Sequence, residues 1–591
     1  MAILCHRSRM AMLLVICLLS LARGLKVTRF PTKVCSTGNS RSSTTNSKSA
    51  LKIQAPAKAA AVSPSQGLAS SEDNFNWEKA WYPVLSEVDS DPGRAHAVQL
   101  LGKDLVVWRN SDGRWAAFDD RCPHRAAPLT EGRVEKDGSL LCTYHAWRFD
   151  SDGKCLSIPQ SDKGGKDESN PKACAKVYPT QVAQGIVWVW GENGPDAVLE
   201  SLLTKPALVS ALEDEEGIKT GNVLPGALMM RDVAYSWDTF MENIMDPAHV
   251  VVSHHGLMGA RSMAKPLSLE ATPTPAMTKV RNGFVVDNNS PQFGAKQGVA
   301  TFYPPALVEI ITELGDGTKI SLVQYNIPTK PGWSRMLQRQ MTIAPESHQN
   351  KQAPSLLKMF ERIRYWIMVY VIGAFVALKR APNEQRRWIQ HLRSHLFIHQ
   401  DMPLLHHQEK ILASTRHTGS RWSQGIFTPT ASDKGVHTLR KWLNKFGSGG
   451  PPWPEGCDTS LPPREHNHDI ICDTYQQHTK DCTACQGALK RIEQCIMATN
   501  VLAMLSLAGA VVNAASAVSR NAVVSMAPLA PGAPPPPLAS IVLARAILPG
   551  VLVGLASLWA TKVRSRWCRA CPSVLLPFRV QAQLANAVNR F

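Results

Sequence analysis

A chain of 591 residues with 44% hydrophobic and 19% charged residues has apolar content for roughly two to four domains of about 100–200 residues each, which excludes a disordered chain. Its net charge of +18 does not mark a nucleic-acid binder: residues 1–71 and 496–591 carry basic residues and no acid, and the stretch 72–495 between them is net neutral, with no basic stripe interleaved with aromatics. Fourteen cysteines are too dilute for a disulfide framework. Four of them, Cys122, Cys142, Cys482 and Cys485, have histidines nearby, which points to metal or redox chemistry in a reducing compartment.

At the start of the chain Arg7 and Arg9 precede an apolar run, Met10 to Ala22. The run is too short to span a bilayer and has the length of a signal-peptide core. Residues 36–71 are rich in Ser, Thr and Ala, with Lys and Arg but no acid, a transit-peptide composition. Residues 1–71 are therefore predicted to be a targeting region. Two forms stay open: a signal followed by a transit segment, suited to a plastid enclosed by extra membranes, or a plain organellar presequence.

Residues 98–119 alternate apolar and polar, with a turn at Ser111–Asp112–Gly113, and predict short strands joined by hairpins; Ser151–Asp152–Gly153 marks another turn and Gly185–Trp190 another strand. Within this β region Cys122-x-His124 is followed, seventeen residues on, by Cys142-x-x-His145. Two thiolates and two imidazoles on two loops are the ligand set of a Rieske [2Fe–2S] cluster, in which two His replace two Cys on one iron and raise its potential. Cys122 and Cys142 would hold one iron, His124 and His145 the other. A structural zinc would use the same four residue types, but usually in a closer Cys-x-x-Cys knuckle.

About a hundred residues further, Asn243, Asp246, His249 and His254 form Asn-x-x-Asp-x-x-His-x4-His. Two His and one carboxylate on one face of ferrous iron leave positions open for O2 and substrate. The two His are five apart, so a straight helix would not align them; a helix loosening near Val251–Ser253 would. The carboxylate is assigned to Asp401, in Ile398–His399–Gln400–Asp401–Met402, where a plain helix N-cap is the competing role. Asp287, Asp316, Asp433 and Glu409 are the other acids considered; Asp287 and Asp316 stand in polar, turn-like contexts. His255 is adjacent to His254, but spacing favours His254.

The apolar stretch Tyr365–Leu378 is too short to span and reads as a core helix or a membrane-surface contact. Cys482 and Cys485 have the spacing of a redox pair, with a zinc half-site or two spare thiols as the alternatives; no role is assigned to Cys568 and Cys571. Ile496–Ser519 and Leu538–Ala560, the latter with Arg545 near one end, are each long enough to cross a bilayer, and a Pro-rich loop joins them. They predict a two-helix transmembrane hairpin, with one span plus one buried helix as the alternative, followed by a basic tail on the stromal or cytoplasmic-like side.

The text around these motifs resembles the plastid pheophorbide a oxygenase family of Rieske non-haem iron oxygenases, a group that includes chlorophyllide a oxygenase, protochlorophyllide-dependent translocon-like proteins and the Tic55 import-associated protein. The likeness rests on Trp81–Tyr82–Pro83–Val84, on 118–125 around the first Cys-x-His, on 242–249, on Ala264–Lys265–Pro266–Leu267 and on 475–485 around the Cys pair, and it spans about residues 75–520. Ala146 departs from it, standing where the family commonly has Gly. The resemblance implies a ferredoxin-type donor, O2 and a chlorophyll-derived tetrapyrrole as reactants, with pheophorbide a first and chlorophyllide or protochlorophyllide second. It implies a homotrimer in which Asp246 bridges a cluster His of one subunit to an iron His of its neighbour, and a place on a plastid membrane, thylakoid or inner envelope. A redox sensor or import component without turnover is the rival from another class; a tetrapyrrole carrier is a second.

The expected class is α+β: a targeting region (1–71), an all-β Rieske domain (76–195), a helix-grip-like α+β catalytic domain (196–450), a Cys-x-x-Cys segment (451–495), the transmembrane hairpin (496–560) and a tail (561–591).

Overall fold

The alternation along residues 98–119 becomes three strands, His96–Leu100, Lys103–Arg109 and Trp115–Asp119, joined as antiparallel hairpins with Val177–Tyr178 added at the edge. They belong to a computed structural model that describes residues 74–272, 283–289, 295–345, 384–415 and 419–524. The targeting region 1–71, the stretch Tyr365–Leu378, the segment Leu538–Ala560 and the tail with Cys568 and Cys571 lie outside the described residues.

Both faces of this sheet are covered. Leu105 and Val107 pack with Trp115 and Ala117 into one core, while Val106 and Trp108 pack with Ala116 and Phe118 into another. Period-two alternation here sorts side chains between two cores rather than between core and water. The second core, with Phe149 and Leu129, underlies a small sheet of Arg133–Val134, Leu140–Leu141, Arg148–Phe149 and Cys155–Ser157.

A three-stranded sheet (Trp81–Ser86, Ile186–Trp190, Thr180–Ala183) joins the β region to the rest. Trp188 meets Tyr325 edge-on with ring centroids 5.3 Å apart, and Arg335 donates to both carboxylate oxygens of Asp232 (2.7 and 3.0 Å) and to the Val84 carbonyl (3.0 Å). The predicted Rieske and catalytic domains therefore share a core across residue 195.

The second half is an eight-stranded antiparallel sheet whose longest strands are Lys319–Lys330 and Trp333–Ile343. Helix α1 (Trp237–Ile244) buries Trp237, Phe240 and Met241, at i, i+3 and i+4 spacing, and the Trp237 indole donates to the Asn326 carbonyl at 3.0 Å. A four-residue helix α2 (Val250–Ser253) follows. Helix α3 (Glu384–Ser414) lays Ile398, Met402 and Leu405 against Met229, Val233 and Met336. Helix α4 (Lys434–Lys445) closes the core with Leu439, Trp442 and Leu443. An all-β domain followed by a mixed helix-and-sheet domain agrees with the expected class.

Ile496–Ser519 continues helix α5 (Thr483–Val524), which starts at the Cys pair. Among the described residues no helix is long and apolar enough to cross a membrane. The helix passes Lys490, Arg491 and Glu493 before its apolar part, which is itself broken by Asn500, so the predicted transmembrane hairpin is not present among the described residues. The apolar part still exposes Met497, Leu502, Met504, Leu505 and Val512.

Candidate metal centres

The two cysteine loops are near copies of each other. In the first, the Ala126 amide donates to the Cys122 carbonyl (2.9 Å) and the Cys122 amide to Ala127 (2.8 Å); in the second, Ala146 donates to Cys142 (2.9 Å) and Cys142 to Trp147 (2.8 Å). Each loop closes on an alanine in the left-handed region, with φ of 56° at Ala126 and 58° at Ala146. That backbone explains why glycine suits position 146. Cys122 and Cys142 are buried, and burial pushes the Cys122 thiol up to about 12. His145 is half-buried and His124 exposed. Their rings lie 4.5 Å apart, and Trp147 stacks on His124 at 4.8 Å. Two buried sulfurs below two outer imidazoles suit a two-iron cluster with one thiolate-held and one imidazole-held iron.

His249 and His254 flank helix α2, one just before it and one just after, where the backbone has left the helical region (φ −93°, ψ 31°). This break turns both rings toward α3. Asp401 lies well inside α3, so it is not the N-cap that its sequence context allowed. Its carboxylate stands 3.1 Å from His254 Nε2 and 3.7 Å from His249 Nε2, and the three ligand atoms lie within 4.8 Å of one another. His254 Nε2 is fully buried, and no hydrogen bond satisfies it. A buried unsatisfied nitrogen facing a carboxylate fits a shared cation.

The supporting contacts set the tautomers. His254 Nδ1 lies 3.1 Å from Gln400 Oε1, an oxygen that can only accept, so the imidazole donates there and keeps its Nε2 lone pair. The Ser253 hydroxyl donates to the other Asp401 oxygen at 2.6 Å. Asp246 lies 3.5 Å from His249 Nδ1, and Asn243 stands 3.4 Å from His249 Nε2. Burial opposes a charge on His249, but Asp246 and Asp401 outweigh it and raise its pKa. Burial likewise opposes the charge on Asp401, yet His254 and His249 hold its carboxyl below the usual range. Among the other acids considered, Asp287 is in a strand (Phe284–Asn288) rather than a turn, and Glu409 donates no oxygen to the triad but accepts from the Ser236 amide at 2.8 Å.

A cavity of about 940 Å3 opens on His249 and Asp401 of this triad, while His254 is fully buried. Asp246, His249, Phe397 and Asp401 line one wall, and strand residues such as Val286, Ile310 and Leu322 the other. Cys482 and Cys485 are also buried, with His391 and His478 beside them. Sequence reasoning did not single out those two histidines. A hydrogen bond from the Cys485 thiol, with His478 and His391, holds the Cys482 thiol well below its ordinary value against the effect of burial.

A loop pair built for a two-iron cluster, in one chain with an open-faced triad of two His and one carboxylate, is the equipment of a Rieske-type non-haem iron oxygenase. Residues 80–179 match the Rieske [2Fe-2S] domain and residues 302–418 match pheophorbide a oxygenase as family models. The chain is 33% identical to "Pheophorbide a oxygenase, chloroplastic" of Oryza sativa subsp. japonica, over 71% of this chain and 74% of that protein. It is 31% identical to "Flavonoid 8-hydroxylase 2, chloroplastic" of Ocimum basilicum, over 78% of this chain and 82% of that protein. Among solved structures, Pseudomonas putida CBB5 NdmA aligns with a TM-score of 0.41 at 18% identity, covering 62% of this chain and 90% of that one. The chain belongs to the pheophorbide a oxygenase family of Rieske non-haem iron oxygenases, and its cofactors are a [2Fe–2S] cluster and a mononuclear iron.

Proposed function

We propose that this oxygenase oxidises a chlorophyll-derived tetrapyrrole, with pheophorbide a as the first candidate and chlorophyllide a or protochlorophyllide as the second. The reading is carried by the cavity of about 940 Å3 lined by His249 and Asp401, two members of the His249–His254–Asp401 triad. Its size is near the upper end for small-molecule sites, roughly 300–1,000 Å3, and it is largely apolar-walled, as a flat hydrophobic macrocycle requires.

In this proposal Cys122 and Cys142 hold one iron of the cluster and His124 and His145 the other. His124, at the surface, offers the point of approach for a ferredoxin-type donor. His249, His254 and Asp401 hold the mononuclear iron on one face. When bound, the two centres supply electrons one at a time and the activation of O2. The chain's own part is geometric. Gln400 fixes the His254 ring and Ser253 the Asp401 carboxylate; the cavity wall excludes water and presents the substrate. Asp246 orients His249 and, in a head-to-tail homotrimer, also reaches a cluster histidine of the neighbouring subunit. Asn243 lies beside the same His249 Nε2 that would hold the iron, so its amide can donate to that nitrogen only while the metal is absent.

The same proposal places the enzyme in the plastid, as its named relatives are, on the thylakoid or inner envelope. The exposed apolar surface of helix α5 would lie against the membrane in which such pigments partition.

The similarity to a flavonoid hydroxylase favours a second reading, a smaller phenolic substrate. The test is product analysis by mass spectrometry of the full chain with reduced ferredoxin and 18O2, offered both chlorophyll derivatives and flavonoids. We expect 18O in a product of pheophorbide a. Incorporation into no pigment overturns the substrate assignment. Iron analysis at roughly two rather than roughly three per chain would reduce the protein to an electron carrier or redox sensor.

A further inference from the structure

We propose that His391, His478, Cys482 and Cys485 form a third metal centre, a closed two-cysteine, two-histidine site that takes zinc and has a structural role. The four come from separate elements: His391 from helix α3, His478 from the turn after Thr474–Gln477, Cys482 from the residue preceding α5 and Cys485 from its first turn. All four are buried, and their ligand atoms lie within 4.8 Å of one another.

The spacing is that of a coordination tetrahedron. His478 Nε2 is 3.2 Å from Cys485 Sγ, and His391 Nδ1 is 3.4 Å from Cys485 Sγ and 3.6 Å from Cys482 Sγ. With Zn–S about 2.3 Å and Zn–N about 2.0–2.1 Å at tetrahedral angles, the nitrogen–sulfur edge is about 3.6 Å. The observed separations already approach that edge, so an ion enters with small outward shifts.

The second observation is the state of the two imidazoles. His391 Nε2 stands 3.1 Å from the Leu228 carbonyl, and His478 Nδ1 hydrogen-bonds the Met230 carbonyl. A carbonyl oxygen only accepts, so each ring carries its proton there and turns a lone pair toward the sulfurs. Backbone carbonyls that fix the tautomer are the usual support of metal-bound histidine. A disulfide between Cys482 and Cys485 would need neither histidine and would leave both lone pairs facing sulfur without a proton.

The donor set selects the ion. Two thiolates with two imidazoles suit zinc, and four protein ligands with no exposed face mark a structural rather than a catalytic site. The arrangement contrasts with the His249–His254–Asp401 triad, whose His249 and Asp401 line a cavity. The centre would pin helix α3 to the start of α5 and to the carbonyls of 228 and 230, about 15 Å along α3 from Asp401.

The test does not depend on turnover or on the proposed substrate. Full-length protein, purified in reductant without chelator, is analysed for zinc and iron. We expect about one zinc per chain beside the iron of the other two centres, and loss of the zinc in Cys482→Ser and His478→Gln with the cluster absorption retained. Protein from cobalt-supplemented cells should show the strong tetrahedral and thiolate-to-cobalt absorptions, which keeps the proposal testable if the variants do not fold. Reduced protein with an intact cluster but no zinc overturns it. So does zinc retained in both variants, or a Cys482–Cys485 disulfide in most of the freshly purified chain.

Discussion

His254 Nε2 stands 3.1 Å from a carboxylate oxygen of Asp401. The neighbour of that acid on α3, Gln400, meets the same imidazole at Nδ1, also at 3.1 Å. One ring thus faces two consecutive residues of a single helix, hydrogen-bonded to Gln400 at Nδ1 and set opposite the Asp401 carboxylate at Nε2, where a shared cation would sit. Its plane follows the rotation of α3, and phenylalanine 397 of that helix stacks on it with centroids 3.5 Å apart.

Outer contacts of this kind tune affinity more than they contribute to fold. Gln400→Leu removes the acceptor at His254 Nδ1, and Ser253→Ala removes the 2.6 Å hydrogen bond to Asp401. Each should weaken binding at the mononuclear site by roughly 10–100-fold. Anaerobic titration of the metal-depleted protein with ferrous iron measures this. The cluster absorption should be unchanged in both, since neither residue lies in the Cys122 or Cys142 loops.

Asp246 poses a different expectation. Its Oδ1 accepts from the Ala248 amide at 2.8 Å, and its Oδ2 faces His249 Nδ1 at 3.5 Å. Asp246→Asn keeps the shape and removes the charge. Iron content should stay near that of the parent, while the rate at which a pre-reduced cluster passes its electron during a single turnover falls at least about tenfold, the scale of such outer-shell losses. Rapid-mixing absorbance at the cluster band reads that rate. An unchanged rate would remove Asp246 from the electron path.

How much of this was legible beforehand depends on where the ligands lie in sequence. Cys122, His124, Cys142 and His145 sit on two short loops whose strands announce themselves by alternation, so motif and scaffold could be read together. His249 and His254 were readable because Asp246 and Asn243 precede them at helical spacing. Asp401 is the acid that meets them, but its setting differs from the cap its context allowed: it lies inside α3, which among the described residues runs from Glu384, and the apolar face of that helix, Ile398, Met402 and Leu405, is interleaved with His and Gln. Cys482 and Cys485 were readable from their spacing, but the two histidines beside them were not, because His391 lies far off on α3 and His478 in the turn before the pair. The available signal was the ladder His391, His395, His399 at four-residue spacing, one face of a helix. Ile496–Ser519 has the length and freedom from charge of a span, but it is part of the longer helix α5, which carries Lys490, Arg491 and Glu493 ahead of it.

Ala146 adopts φ of 58°, a conformation that costs an L-residue roughly 1–2 kcal/mol and glycine little. The added freedom of glycine in the unfolded chain offsets about 0.4–1 kcal/mol of that gain. Ala146→Gly should therefore stabilise the second cluster loop by about 0.5–1 kcal/mol. The expected result is a rise of a few degrees in the temperature at which cluster absorption is lost, with the cluster's potential little changed because no ligand moves. A lower temperature would show that the methyl group contributes packing the loop needs.

His96 supplies a pH dependence inside the β region. It is 2% exposed, its Nε2 donates to the Asp91 carbonyl at 2.8 Å, and its Nδ1 is buried without a partner. Burial is the main reason its pKa is lowered, and Arg94 adds to it. The ring is thus neutral in the folded chain while the unfolded chain takes up a proton below about pH 6.5. The stability this provides is complete above that value and declines as the pH falls, by at most about 1.4 kcal/mol per pH unit for one group. Urea unfolding of the full chain, followed by cluster absorption between pH 8 and pH 5.5, should show a falling midpoint. His96→Gln keeps a donor for the Asp91 carbonyl and cannot titrate, so it should flatten that slope relative to the parent. An equal slope in both proteins would place the acid sensitivity in another group.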